Sequence, residues 1–73
     1  MSETAAASIR VNGADEPLRA RSVADLLAQK EIAPDMRGIA VALNGSIVPR
    51  ADWPDTPLSP GDAVEIVTAR QGG

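Results

Sequence analysis

The 73-residue chain has no cysteine, no histidine, no tyrosine and no phenylalanine. Each absence removes a class of chemistry. Without cysteine there is no disulfide to staple a small domain, no thiol nucleophile and no thiolate for zinc. The fold must hold by packing, and the composition fits a reducing compartment. Without histidine the commonest general base is gone, and so is the commonest nitrogen ligand for a metal. Ser2, Ser8, Ser22, Ser46 and Ser59 therefore have no imidazole to activate them. Trp53 is the single aromatic, which leaves an aliphatic core of Ile, Val, Leu and Ala. No apolar run approaches the ~20 residues of a membrane-spanning helix. The opening "MSETAAAS" lacks the basic and apolar regions of a secretory signal, so the cytoplasm is the expected compartment. Basic residues occur singly at Arg10, Arg19, Arg21, Lys30, Arg37, Arg50 and Arg70, and the net charge is −3. No basic stripe is interleaved with aromatics, which argues against nucleic acid as a partner. The mild acidity favours solubility and a basic partner surface.

What is present suffices for one small domain. A chain of this size buries about 60% of its unfolded surface, enough for one core but not for a deep cleft between domains. Residues 1–7 read as a frayed leader. "SIRVN" (8–12) alternates, with Ile9 and Val11 on one face, and predicts a strand. "GADE" (13–16) reads as a turn. "PLRAR" (17–21) reads as the returning strand, with Leu18 and Ala20 inward. Ser22 then suits a helix N-cap, and Asp25 three residues later makes a carboxylate form of the capping box. Val23, Leu26 and Leu27 form an apolar stripe at helical spacing. The helix is predicted from Val23 to Glu31, ended by Pro34.

"GIAVALN" (38–44) is a strand with Ile39, Val41 and Leu43 on the large face and Ala40 and Ala42 on the small one. Asn44-Gly45 is a strong hairpin signal. "SIVPR" (46–50) returns, shortened or at an edge because of Pro49. "ADWPDTPL" (51–58) has two prolines and no period, so it reads as a loop. Ser59-Pro60-Gly61-Asp62 suits a type II turn. "AVEIVTA" (63–69) is the last strand, with Val64 and Ile66 inward. The order ββαββ(loop)β predicts an α+β domain over residues 8–69, with a mixed five-stranded sheet packed on one main helix. Residues 70–73 are expected to be a flexible tail.

Catalytic machinery is sparse. Asp52 and Asp55 lie close in the loop and read as solvated turn-formers rather than as paired catalytic carboxylates. Neither "NGSIVP" nor "SPGD" resembles a phosphate-binding loop opening a helix. No metal ligand set and no stably bound cofactor are expected. Any chemistry at this chain calls for a catalyst supplied by a partner.

The tail "TARQGG" is the exception. The Gly73 α-carboxylate is unique, sterically bare and placed after Gly72, which also lacks a Cβ. Attack by such a carboxylate on the α-phosphate of ATP gives an acyl-adenylate. That reaction needs a terminus threaded through a narrow slot. Arg70 to Gly73, extended, span at most about 13–14 Å. This reaches a buried site while the folded domain stays outside. Once activated, the acyl carbon accepts sulfur or an amine.

The segments "RGIAVALNGSIVPRADW" (37–53) and "LSPGDAVEIV" (58–67), with Gly72-Gly73, resemble the ubiquitin-like β-grasp sulfur carriers, most closely the ThiS type of thiamin biosynthesis. The resemblance covers roughly residues 8–73. It implies a β-grasp fold and a protein co-substrate rather than an enzyme. It further implies that Gly73 bears an acyl-adenylate and then a thiocarboxylate, with Gly72 giving steric clearance. The implied partners are three: an ATP-dependent adenylating enzyme related to ubiquitin activators, a persulfide donor of the cysteine-desulfurase or rhodanese type, and thiazole synthase. Arg70 and Gln71 are more polar than the small apolar residues that many relatives carry there. Arg70, Gln71, Ala69 and Val67 are the candidate partner-binding residues. A monomer is expected for the chain alone, with no membrane and no nucleic acid.

Several readings stay open at this level. Val67, with Ala40 and Ala42, is either a docking patch or ordinary exposed apolar surface. Trp53 reads as core packing before partner anchor, and Pro49-Arg50 as a strand end before partner contact. The tail chemistry also suits a molybdopterin-synthase small-subunit type of carrier or a ubiquitin-like modifier joined to lysines. A β-grasp domain that only binds is the third class.

Overall fold

Two Asn-Gly pairs set the ends of the sheet. The computed structural model describes residues 7–33 and 37–68. In it β1 (Ser8–Val11) turns at Asn12-Gly13 into β2 (Ala14–Pro17). The strands β3 (Ile39–Leu43) and β4 (Ser46–Val48) join through Asn44-Gly45. All four turn residues have positive φ: 52° and 84° in the first pair, 52° and 87° in the second. This is the two-residue turn whose twist matches that of paired strands, and Asn and Gly are the residues that tolerate it.

The second hairpin turns where the sequence placed it, although its return strand ends at Val48 rather than Arg50, because Pro49 and Arg50 open the following 3₁₀ helix; the first hairpin is displaced. The turn is at 12–13 rather than 13–16, and the return strand is Ala14–Pro17 rather than 17–21. Pro17 closes β2 instead of opening it. It sits opposite Ser8 on an edge strand, where a missing N–H is tolerated. Leu18 and Ala20 do pack inward, but from irregular backbone. The Leu18 N–H donates to the Ala7 carbonyl at 2.9 Å.

The helix α1 (Val23–Gln29) opens as expected at Ser22, whose Oγ accepts the Asp25 N–H at 3.1 Å. The Asp25 carboxylate reaches one residue further back than a standard capping box, to the Arg21 N–H at 2.9 Å. The helix stops two residues before the predicted Glu31. Glu31 takes φ 62°, its N–H donates to Ala28, and the Ile32 N–H donates to Leu27. That pair of bonds closes the helix by its own C-terminal motif, with Ile32 folding onto the core. Pro34, the expected terminator, lies outside the described residues.

The sheet runs β2-β1-β5-β3-β4, where β5 is Ala63–Thr68. Only β1 and β5 are parallel. The order and the single covering helix are those of a ubiquitin-like β-grasp domain. Val23, Leu26 and Leu27 of α1 pack against Ile9, Val11, Val41, Val48 and Val64 of the sheet. Most of the segment expected to be a loop (51–58) is a 3₁₀ helix, Arg50–Asp55, and only residues 56–58 lie outside it. It is pinned by Trp53, which is 2% exposed and donates its Nε1–H to the Val48 carbonyl at 2.9 Å. Trp53 is thus a core residue, and the Arg50 guanidinium lies 4.9 Å from its ring centre. Ser59–Asp62 turns as expected, with Gly61 at φ 87° and the Asp62 N–H on the Ser59 carbonyl at 3.1 Å.

Candidate docking face and C-terminal strand

The last strand is central, and its bonds hold it on both sides. Towards β3 it pairs over Leu43↔Val64 to Ile39↔Thr68. At its start the Asn44 side chain accepts the Ala63 N–H at 2.9 Å, while Asn44 Nδ2 donates to Asp62 at 3.1 Å. On the other side β1 pairs with β5 only as far as Val11↔Val64. Beyond that point the Asn12 side chain takes over. Its Oδ1 accepts the Ile66 N–H at 2.8 Å, and its Nδ2 donates to the Ile66 carbonyl at 3.3 Å.

Alternation along β5 sends Val64 and Ile66 to the core and Glu65 and Val67 to the opposite face. Val67 is 58% exposed and stands opposite Ala40. Ala42 stands between Glu65 on β5 and Ile47 on β4. Ile47 is 72% exposed. The small alanine side chains leave the two larger ones standing clear. The result is an apolar face of Ile47, Ala42, Ala40 and Val67, with the Glu65 carboxylate at its rim.

The sequence picked out Val67, Ala40 and Ala42 but missed Ile47. The Asn44-Gly45 turn was a sufficient signal, since a two-residue turn fixes the register and puts Ile47 across from Ala42. Asn12 was missed with its turn. Ala69, Arg70, Gln71, Gly72 and Gly73 lie outside the described residues. Asp52 and Asp55 fall in the 3₁₀ helix, both exposed, and away from this face. Among the described residues no three Asp or Glu side chains gather as a metal site.

A sequence model of the ThiS family matches residues 6–73. The chain belongs to the ThiS family. Its face and last strand are therefore those of a ThiS-family protein, and the match runs through the two terminal glycines. The sulfur carrier protein ThiS of Thermus thermophilus is 36% identical over 63 residues, covering 86% of this chain and 95% of that one. A crystal structure of the thiamine biosynthesis protein ThiS from Geobacter metallireducens superposes with a TM-score of 0.72 at 32% identity. It covers 90% of this chain and 99% of the other. The β-grasp fold expected from sequence is thus shared with a solved ThiS.

Proposed function

We propose that this chain carries sulfur for thiazole formation in thiamin biosynthesis, with the Gly73 carboxylate as the point of attachment. The observation that supports this best is the family match, which reaches Gly73 and so includes the tail that continues from the central strand. A carboxylate oxygen of Gly73 attacks the α-phosphate of ATP in a partner's site, and pyrophosphate leaves. The terminal sulfur of a persulfide then displaces AMP from the acyl carbon to give an acyl disulfide. A thiol on the donor side cleaves its S–S bond, leaving as a disulfide with the donor sulfur and freeing a thiocarboxylate for thiazole synthase. The chain supplies no catalyst; it is the substrate of its partners, and ATP is bound by the adenylating enzyme. Gly72 and Gly73 admit the terminus to a slot that a Cβ would block. Arg70 and Gln71 contact the walls of that slot, and Ala69 with Val67 lies at its mouth. The Ile47–Val67 face docks beside the slot, with Glu65 facing a basic group. The reaction belongs in the cytoplasm.

The ThiS match favours this destination over molybdopterin synthesis or protein modification. Intact-mass measurement after incubation with the adenylating enzyme, ATP and a persulfide source tests it. The expected gain is one oxygen replaced by sulfur, absent in Gly73→Ala. No mass change alongside a partner active on another carrier overturns the reading.

A further inference from the structure

We propose that Asn12 is a positioning residue for the tail: its side chain stands in for a missing residue of β1 and fixes the direction in which β5 delivers the C-terminus. The proposal rests on the carrier reading above. β1 leaves β5 after Val11, because the Asn12-Gly13 turn sends the chain into β2. The Asn12 N–H still donates to the Val64 carbonyl at 2.9 Å. The next rung has no strand to fill it. The Asn12 amide fills it instead, meeting both the N–H and the carbonyl of Ile66 at 2.8 and 3.3 Å. A carboxamide can present an N–H donor and an oxygen acceptor along one edge, as the N–H and C=O of a strand residue do, so it can replace a strand residue at this rung.

The place of this clasp gives it a function. Ile66 is two residues before Thr68, the end of β5, and five residues separate Thr68 from the terminus. Without the clasp, residues 65–68 would be held on the β3 side alone among the described elements. The end of β5 at Thr68 sets where those five residues start, so a looser strand end widens the range over which they must search for a partner's slot. Ordering a less restricted terminus on binding costs affinity, while the chemical step is unchanged once the carboxylate is seated. The backbone of Asn12 is compatible with this contact: at φ 52° it occupies a region where Asn is tolerated, and its amide, although exposed, reaches Ile66 of β5.

Asn12→Gly separates the clasp from the turn, because glycine keeps the positive φ while removing the amide. Asn12→Asp keeps the turn and the acceptor but loses the donor. Ile9→Val trims the core of the same strand without touching either bond and serves as the stability control. Two readouts are needed. Amide exchange in the isolated protein should accelerate at Ile66 by roughly tenfold in Asn12→Gly, with Val41 unchanged. In ATP–pyrophosphate exchange by the adenylating enzyme, KM for the carrier should rise roughly three- to tenfold at constant kcat, as expected for loss of one or two hydrogen bonds. Asn12→Asp should fall between. An unchanged Ile66 exchange rate overturns the clasp. A KM no higher than that of Ile9→Val at equal thermal stability overturns its role in delivery. If the wild-type chain is not adenylated at all, the carrier reading falls, and the amide exchange judges the clasp by itself.

Discussion

Three residues hold the same uncommon backbone for different reasons. Asn12, Asn44 and Glu31 have φ of 52°, 52° and 62°. The asparagines are suited to it, and each uses its side chain to bind β5. Glu31 has no such compensation. It is exposed and sits at the position after the helix where glycine is preferred. A side chain in this conformation costs roughly 1–2 kcal/mol, and glycine returns part of that as entropy of the unfolded chain. Glu31→Gly is therefore expected to stabilise the domain by about 0.5–1 kcal/mol. A rise in the urea midpoint at constant slope checks it. A fall in the midpoint means that the Glu31 carboxylate contributes more than its backbone costs.

At the scale of elements, the helix is the clearest test of local chemistry. Seven residues are too few to be helical alone in water, so α1 depends on its core face and its caps. Ser22 to Ala should cost about 1 kcal/mol, within a range of about 0.5–2, whereas Ser22 to Gly should cost only a few tenths. For a domain of this length that is a drop in Tm of about 4–8 °C for the alanine variant. Equal drops for the two would show that the Ser22 hydroxyl is not acting as the cap. Elements of this kind were legible because their signals are local. Ser22, the Val23/Leu26/Leu27 stripe, Asn44-Gly45 and the Pro60-Gly61 turn each decide their structure within a few residues. The misplaced β2 had a local signal too, Asn12-Gly13. It was masked by the alternation of Leu18 and Ala20, which pack inward without being a strand. The 3₁₀ helix carried no such signal. Its organiser is the Trp53 bond to Val48, and nothing in the periodicity of 50–55 announces that contact. The candidate site was legible in part for the same reason. Alternation exposes Val67, but Ile47 joins it only through cross-strand register, and Asn12 reaches Ile66 across 54 residues of sequence.

At the scale of the molecule, the domain has two faces with opposite duties. One face of the sheet carries Ile9, Val11, Val41, Val48 and Val64 into the core under α1. The other carries Ile47 and Val67, which contribute little to folding because water still reaches most of their surface. Fully burying such a side chain is worth about 1.5–3 kcal/mol, so the proposed docking would gain from Ile47 and Val67 what folding leaves unused. The two duties separate experimentally. The pair Ile47→Lys and Val67→Lys should leave stability within about 0.5 kcal/mol per site, since surface changes away from caps and core do little. The same pair should weaken association with the adenylating enzyme by about tenfold or more, because it puts two charges where apolar contact forms. Titration calorimetry against that enzyme, with urea unfolding of the free variant, reads both quantities. Wild-type affinity in the double variant would move the docking face elsewhere on the domain. A large loss of stability would instead assign Ile47 and Val67 to the fold.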